Sequence, residues 1–125
     1  MKRTTSKKTS IILVDDDKDM CTSLRDVLEL EPDMRARYST DPLKALEMIE
    51  REKFQIAVLD YKMPGMNGIE LLEKIKKISP STKVFLLTAF LSEDLIEEAE
   101  TAGAEEVMSK FIWPADIIKT LRESS

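Results

Sequence analysis

Three short apolar runs, at residues 11–14, 56–59 and 84–87, stand out along the chain. They contain no polar alternation, which predicts strands buried on both faces of a parallel sheet. Residues 34–38 instead alternate apolar with polar positions, as an edge strand with one covered face does. A shorter strand is expected at Glu106–Ser109. Helical stripes lie between these segments: Met20, Leu24, Val27 and Leu28; then Leu43, Leu46 and Ile49; then Leu71, Leu72, Ile75 and Ile78. Leu95, Ile96, Ala99 and Ala102 form a fourth stripe and Ile117, Ile118 and Leu121 a fifth. Asp41-Pro42 reads as a helix N-cap followed by proline at the first helical position. Ser92, followed by Glu93 and Asp94, reads as another cap with favourable negative charge. Pro32, Pro80 and Gly103 fall between elements. Five β-α units within about 115 residues predict one doubly wound α/β domain with a five-stranded parallel sheet.

Composition narrows the class. The chain has 125 residues, 42% hydrophobic and 34% charged, which suits a single globular core. No apolar run approaches the roughly 20 residues that span a bilayer, so no membrane role is expected. The first ten residues lack the apolar stretch of a secretory signal. Cys21 is the single cysteine, so no internal disulfide can form; a reducing cytoplasm fits. With no histidine, the chain has no histidine-based catalysis or metal site of its own. Lys2, Arg3, Lys7 and Lys8 give the first ten residues a charge of +4, so the net −5 leaves −9 on residues 11–125. A body that acidic repels phosphate backbones, so no direct nucleic-acid binding is expected. Residues 1–9 read as a disordered basic arm, and residues 10–125 as the folded domain.

In a doubly wound sheet the ligand site lies beyond the carboxyl ends of the strands. The first strand ends in Asp15-Asp16-Asp17, the second in Ser39-Thr40 and the third in Asp60. The fourth ends in Thr88-Ala89 and the fifth in Ser109-Lys110. Asp60 opens onto a loop, Tyr61-Lys62-Met63-Pro64-Gly65-Met66-Asn67-Gly68, rich in turn formers. If these ends are neighbours, several carboxylates converge on one small volume, and like charges that close call for a cation. Oxygen ligands without histidine favour Mg²⁺ over zinc. A hydroxyl and an ammonium beside them suit phosphoryl oxygens. Taken singly, each residue also has a structural reading. The Asp15–Asp17 acids can serve a helix N-terminus, Asp60 can cap a turn, Thr88 can end a strand, and Lys110 can be a solvated charge. Cys21 and methionines 20, 34, 48 and 108 sit at apolar positions and read as packing residues.

Those four motifs in order, each at a strand end, resemble the receiver domain of bacterial two-component response regulators. The resemblance covers roughly residues 10–123. It implies the flavodoxin-like (βα)5 fold with strand order 2-1-3-4-5. It also implies that Asp60 accepts a phosphoryl group from the phosphohistidine of a sensor kinase or phosphotransfer protein. Asp15, Asp16, Asp60 and the main-chain carbonyl of Lys62 would hold Mg²⁺, while Thr88 and Lys110 would contact the phosphoryl oxygens. Such a domain is not an enzyme with a free substrate, although it assists its own phosphorylation and dephosphorylation. Its partners would be the kinase and a downstream protein or fused effector, met through the face of the fourth helix, fifth strand and fifth helix.

The chain departs from the family pattern in two places. Val107 stands where an aromatic commonly takes part in the switch, and Phe111 stands where a proline usually follows the lysine. The Lys110-Phe111 bond is therefore expected either to be trans, with Lys110 re-aimed, or to be held cis by packing. Lys62 and Phe90 stand two residues past Asp60 and Thr88, where either would alter the phosphoryl lifetime. The expected signalling face carries many acids beside Phe111, Ile112 and Trp113, which suits a partner with basic and apolar features; alternatively Trp113 packs under the last helix. Two other function classes compete with a phosphorylated receiver: an interaction module working without phosphorylation, and an aspartate-based phosphohydrolase. The last is disfavoured, because Lys62 stands where such enzymes usually carry a second aspartate.

Overall fold

The computed structural model describes residues 8–124. Strands and helices alternate throughout: β1 (Thr9–Val14), α1 (Lys18–Glu29), β2 (Met34–Ser39), α2 (Pro42–Arg51), β3 (Ile56–Asp60), α3 (Gly68–Ile78), β4 (Lys83–Thr88), α4 (Glu93–Ala102), β5 (Glu106–Ser109) and α5 (Pro114–Glu123). The strands are all parallel, in the order β2-β1-β3-β4-β5. The expected arm at residues 1–9 falls outside the described residues up to residue 7. Thr9 itself already belongs to β1, because its N–H reaches Asp33 O at 2.8 Å and it pairs in register with Met34.

The sheet divides the core in two, since successive side chains of a strand face opposite ways. Ile12, Val14, Ala57, Leu59, Val84, Leu86 and Val107 face α2, α3 and α4. Ile11, Leu13, Ile56, Val58, Phe85, Leu87 and Met108 face α1 and α5. The edge strand β2 keeps its alternation: Met34 and Ala36 are buried while Arg35 and Arg37 are exposed. The expected caps form, with Asp41 accepting from Leu43 N–H at 2.9 Å and Ser92 accepting from Leu95 N–H at 3.1 Å.

Two apolar assignments need correction, and the open alternative for Trp113 closes. Leu43 and Ile78 are exposed rather than part of the core. Leu43 lies in the first turn of α2 and Ile78 is the last residue of α3. In α2 the buried positions are Ala45, which the stripe passes over, and Ile49, which it includes. Trp113 does not pack under α5; it is exposed at that helix's N-cap.

Candidate functional site

The carboxyl ends of β1, β3, β4 and β5 surround a cavity of about 610 Å³ lined by Asp15, Asp16, Asp17, Asp60, Tyr61, Lys62, Thr88, Ala89, Phe90 and Lys110. The apolar strands behind it fix the positions. Asp60 is the last residue of β3, in register with Leu87, and the next N–H, of Tyr61, bonds Leu87 O at 2.9 Å. Asp15 follows β1 directly and is tied to the edge strand through its N–H to Ser39 O at 3.3 Å. Thr88 and Ser109 are register partners, and Lys110 N–H bonds Thr88 O at 2.8 Å.

Oxygen atoms of Asp15, Asp16 and Asp60 lie within 4.8 Å of one another. Asp15 and Asp60 are buried and Asp16 is exposed. Lys110 Nζ is 2.9 Å from Asp60 Oδ1 and 3.0 Å from Asp15 Oδ2. Three carboxylates against one ammonium leave a cluster short of positive charge, with oxygen donors only. That donor set fits a divalent hard cation such as Mg²⁺. Asp17 serves the helix instead. As N-cap of α1 its Oδ1 accepts from Asp19 and Met20 N–H at 3.0 and 3.3 Å.

Electrostatics follow from burial. Desolvation pushes the Asp60 carboxyl up to about 6; Lys110 pulls it down, while the neighbouring Asp15 charge raises it further. Burial works against the Lys110 charge, but hydrogen bonds to Asp60 and Asp15 outweigh it and hold its pKa above the ordinary lysine value. Thr88 is buried, and its Oγ1 accepts from Phe90 N–H at 3.1 Å. Its hydroxyl proton has no acceptor among the described residues, so it remains free to donate into the cavity.

All the site residues expected from sequence line this cavity: Asp15, Asp16, Asp60, Lys62, Thr88 and Lys110. One expectation fails. Among the described residues there is no cis peptide bond, so Lys110-Phe111 is trans, yet Lys110 is not aimed away from Asp60. Val107 is buried in the core against the α4 side and supplies no aromatic ring there. Sequence reasoning missed two supports of the site. The Cys21 thiol donates to Asp15 O at 3.3 Å, which ties the β1–α1 turn to the helix behind it. Burial raises the thiol pKa to about 11, so Cys21 stays protonated as a donor at neutral pH. A Cβ on Gly68 would sit 2.7 Å from Asp60 O and 2.9 Å from Tyr61 Cα; only glycine lets α3 start this close to the end of β3. The loop glycines are visible in sequence, but not which of them touches Asp60.

The fold and site together define a receiver module, and comparison with known proteins agrees. The family model for the response regulator receiver domain matches residues 11–122. The chain therefore belongs to the response regulator receiver domain family of two-component signalling. It is 33% identical over 107 residues to sporulation initiation phosphotransferase F of Bacillus subtilis, covering 86% of this chain and 83% of that protein. It is 30% identical over 115 residues to chemotaxis protein CheY of Thermotoga maritima, covering 92% and 96%. Similarity to the transcriptional regulatory protein ZraR of Klebsiella oxytoca, 35% over 104 residues, covers 83% of this chain but 23% of that one. Among solved structures, a CheY-like receiver domain from Methanospirillum hungatei superposes with a TM-score of 0.88 at 33% identity, covering 95% of this chain and 94% of that one. No helix among the described residues is long and apolar enough to cross a membrane.

Proposed function

We propose that this chain accepts a phosphoryl group on Asp60 from the phosphohistidine of a sensor kinase or phosphotransfer protein. The observation that carries the reading is the Lys110 ammonium held between Asp60 and Asp15 at the mouth of the acidic cavity. An Asp60 carboxylate oxygen attacks phosphorus, the P–N bond of the donor histidine breaks, and the electron pair leaves on the imidazole. Asp15, Asp16, Asp60 and the Lys62 carbonyl would hold Mg²⁺. Bound there, the metal would supply charge neutralisation for the phosphoryl oxygens. Lys110, which contacts Asp60 Oδ1 and Asp15 Oδ2, offers a second positive charge. Thr88, whose hydroxyl proton is uncommitted, donates to a phosphoryl oxygen. Its reorientation releases Phe90 N–H and so moves the loop that leads into α4; the α4–β5–α5 face then changes for a downstream partner or fused effector. This domain works in the cytoplasm and does not itself contact nucleic acid.

Incubation of the full chain with a small phosphodonor, read by intact mass, tests this. One phosphoryl adduct that requires Mg²⁺ and disappears in Asp60→Asn is the expected result. Labelling that survives in Asp60→Asn removes the assignment. No adduct at all favours an interaction module working without phosphorylation, and many turnovers of released phosphate favour a hydrolase.

A further inference from the structure

At the amino end of the sheet, opposite Asp60, hydrogen bonds fix a polar floor. Ser10 in β1 and Gln55, just before β3, hold each other twice. Ser10 N–H donates to Gln55 Oε1 at 2.9 Å, and Gln55 N–H donates to Ser10 O at 3.0 Å. Ser10 Oγ donates to Lys53 O at 3.2 Å. With its Oε1 taken, Gln55 keeps its amide nitrogen as a donor that meets no acceptor among the described residues. A cavity of about 460 Å³ opens here, lined by Lys8, Ser10, Arg35, Lys53 and Gln55. A second, of about 270 Å³, shares Lys53 and Gln55 and continues to Lys83 at the start of β4.

The positive charge of this groove is unanswered. No carboxylate lines either cavity, in a chain with 24 acidic and 19 basic residues. Among the described residues the side chains of Lys8, Arg35 and Lys53 make no ion pair and no hydrogen bond. Arg37, on the same strand as Arg35, is paired with Glu52. Lys76 shows the other structural use of a cation, on the carbonyls of Pro80 and Thr82 beyond α3; Lys53, two residues past α2, makes no such bond. Neither a salt bridge nor a helix end accounts for the three. Their placement selects the occupant. Arg35 is in register with Ser10, and Ile56, next to Gln55, is in register with Lys83. The groove thus crosses β2, β1, β3 and β4, about 14 Å at the usual strand spacing, a span that four or five extended residues cover. A row of cations across strands suits a row of negative charges better than a single anion. A nucleic acid is disfavoured, because residues 11–125 carry a net −9 that repels a phosphate backbone running past the groove.

We propose that the groove across the amino end of the sheet is a second recognition surface, which binds an extended, acidic segment of a partner protein through Lys8, Arg35 and Lys53. Arg35 offers a planar fork that takes a carboxylate in two bonds, and the two lysines offer point charges. The Gln55 amide, held by Ser10, adds a neutral donor between them. The floor is set by main-chain bonds, so it is formed before the partner arrives and costs little ordering on binding. Lys7, Arg3 and Lys2 precede Lys8 in the sequence, so covalent reach keeps further positive charge within about 22 Å of Lys8. The surface lies at the opposite end of the strands from the acidic cavity, and its binding does not depend on Asp60 being a phosphoacceptor. A partner held here leaves the mouth of that cavity open.

The test uses the full chain with a labelled glutamate-rich peptide, its glutamine counterpart and a short DNA duplex, read by fluorescence anisotropy. The glutamate peptide should bind at least about tenfold more tightly than the glutamine one, and the difference should shrink with added salt. Arg35→Gln and Lys53→Gln should each weaken it about threefold or more, and the double variant should lose it. The control double variant Lys74→Gln, Lys119→Gln removes the same net charge from exposed positions on α3 and α5 and should bind as the parent does. Circular dichroism confirms that the variants fold. Asp60→Asn should also bind as the parent does, so failure of the phosphoacceptor reading is read separately. No preference for glutamate over glutamine, or equal losses in the two double variants, overturns the site. A duplex that binds the parent as tightly as the glutamate peptide overturns the acidic-segment assignment in favour of nucleic acid. Self-association of the parent in sedimentation, abolished by Arg35→Gln with Lys53→Gln, overturns the separate partner in favour of a second copy of this chain.

Discussion

Two buried threonines stand at opposite ends of β4 and live in different chemical worlds. Thr82, just before the strand, is fully enclosed: its Oγ1 donates to Phe54 O at 2.7 Å and meets Ser79 Oγ at 2.7 Å, and its N–H bonds Ser79 O at 3.0 Å. Thr88, the last residue of the strand, accepts from Phe90 N–H and keeps its own proton uncommitted beside a cavity. The nearby lysines repeat the contrast. Lys76 gives its ammonium to main-chain carbonyls, Thr82 O at 2.7 Å and Pro80 O at 3.5 Å, whereas Lys110 faces two carboxylates. Buried polar groups are normally satisfied, because an unmet one costs stability. At the amino end of the sheet the chain follows that rule. At the carboxyl end it leaves a donor free and places like charges side by side, an arrangement with no structural return and one that the proposed phosphoryl binding would use.

The largest effect expected at the carboxyl end is the complete loss of labelling in Asp60→Asn, read by intact mass. At the amino end the largest effect is on stability. Thr82→Val removes the donor to Phe54 O and a partner of Ser79, and should cost about 1–3 kcal/mol in urea unfolding. Thr88→Val, of similar burial, should cost no more than about 1 kcal/mol, because no acceptor depends on its proton and the Phe90 N–H it strands lies on an exposed loop open to water. Equal losses at the two positions would erase the distinction between the two ends.

The charge crowding gives a pH signature of opposite sign to most carboxylates. Asp60 in the folded protein titrates near 6, above its unfolded value of 3.8. The folded state therefore binds the proton more tightly, and the stability this contributes is present at acid pH and lost as pH rises through about 4 to 6. Asp60→Asn cannot ionise, so without Mg²⁺ it should be the more stable protein at pH 7, by on the order of 1–2 kcal/mol, with the gap closing towards pH 4. Thermal unfolding across that range checks it; a gap that widens on acidification contradicts the account. Mg²⁺ should stabilise the parent more than the variant, because it binds the native cluster.

Asp16 and Asp17 sharpen the comparison within one turn. Asp16 contributes an oxygen to the acidic cluster while Asp17 caps α1. Asp16→Ala should weaken Mg²⁺ binding by about tenfold with little change in stability. Asp17→Ala should cost about 1 kcal/mol of stability, the usual loss of a helix cap, and should change Mg²⁺ binding less. Calorimetric titration and urea unfolding together separate the two.

Most of this site is legible in sequence because strand ends are legible. A continuous apolar run says where a buried strand lies, and the first polar residue after it must point beyond the sheet; Asp15, Asp60 and Thr88 emerge that way. What stays hidden depends on how elements pack against one another. Helical spacing assigns a face but not how deeply each residue of a helix end is covered, so it places Leu43 and Ile78 inside and passes over Ala45. Trp113 is ambiguous for the same reason, since nothing local tells whether an aromatic at a helix entry turns inward. The aim of Lys110 escapes a reading that lets the bond to Phe111 decide it. In the structure the aim is set by two carboxylates and by the Lys110 N–H bond to Thr88 O.

The finest distinction concerns what Thr88 does after Asp60 is modified. Val107 offers no ring to rotate, so the contacts that differ between the two states are those of Thr88 and Lys110 with the phosphoryl group. Of these two, Thr88 holds the loop entering α4, through its bond to Phe90 N–H. On the proposed reading, turning the Thr88 hydroxyl towards a phosphoryl oxygen would pull that bond out of line, and the Phe90–Leu91 segment would take a new position before Ser92 caps α4. Lys110 already touches Asp60 and needs little movement. Thr88→Ala should therefore leave Asp60 able to accept the phosphoryl group while removing the change at α4. Hydrogen exchange with and without a phosphoryl mimic reads this directly: the parent should show altered exchange in the β4–α4 loop and the first turn of α4, and the variant much less. The shift will be small, since one hydrogen bond of about 1 kcal/mol sets it. If α4 responds equally in parent and variant, the signal travels through Lys110 and the β5–α5 loop instead, and the free donor of Thr88 serves binding alone.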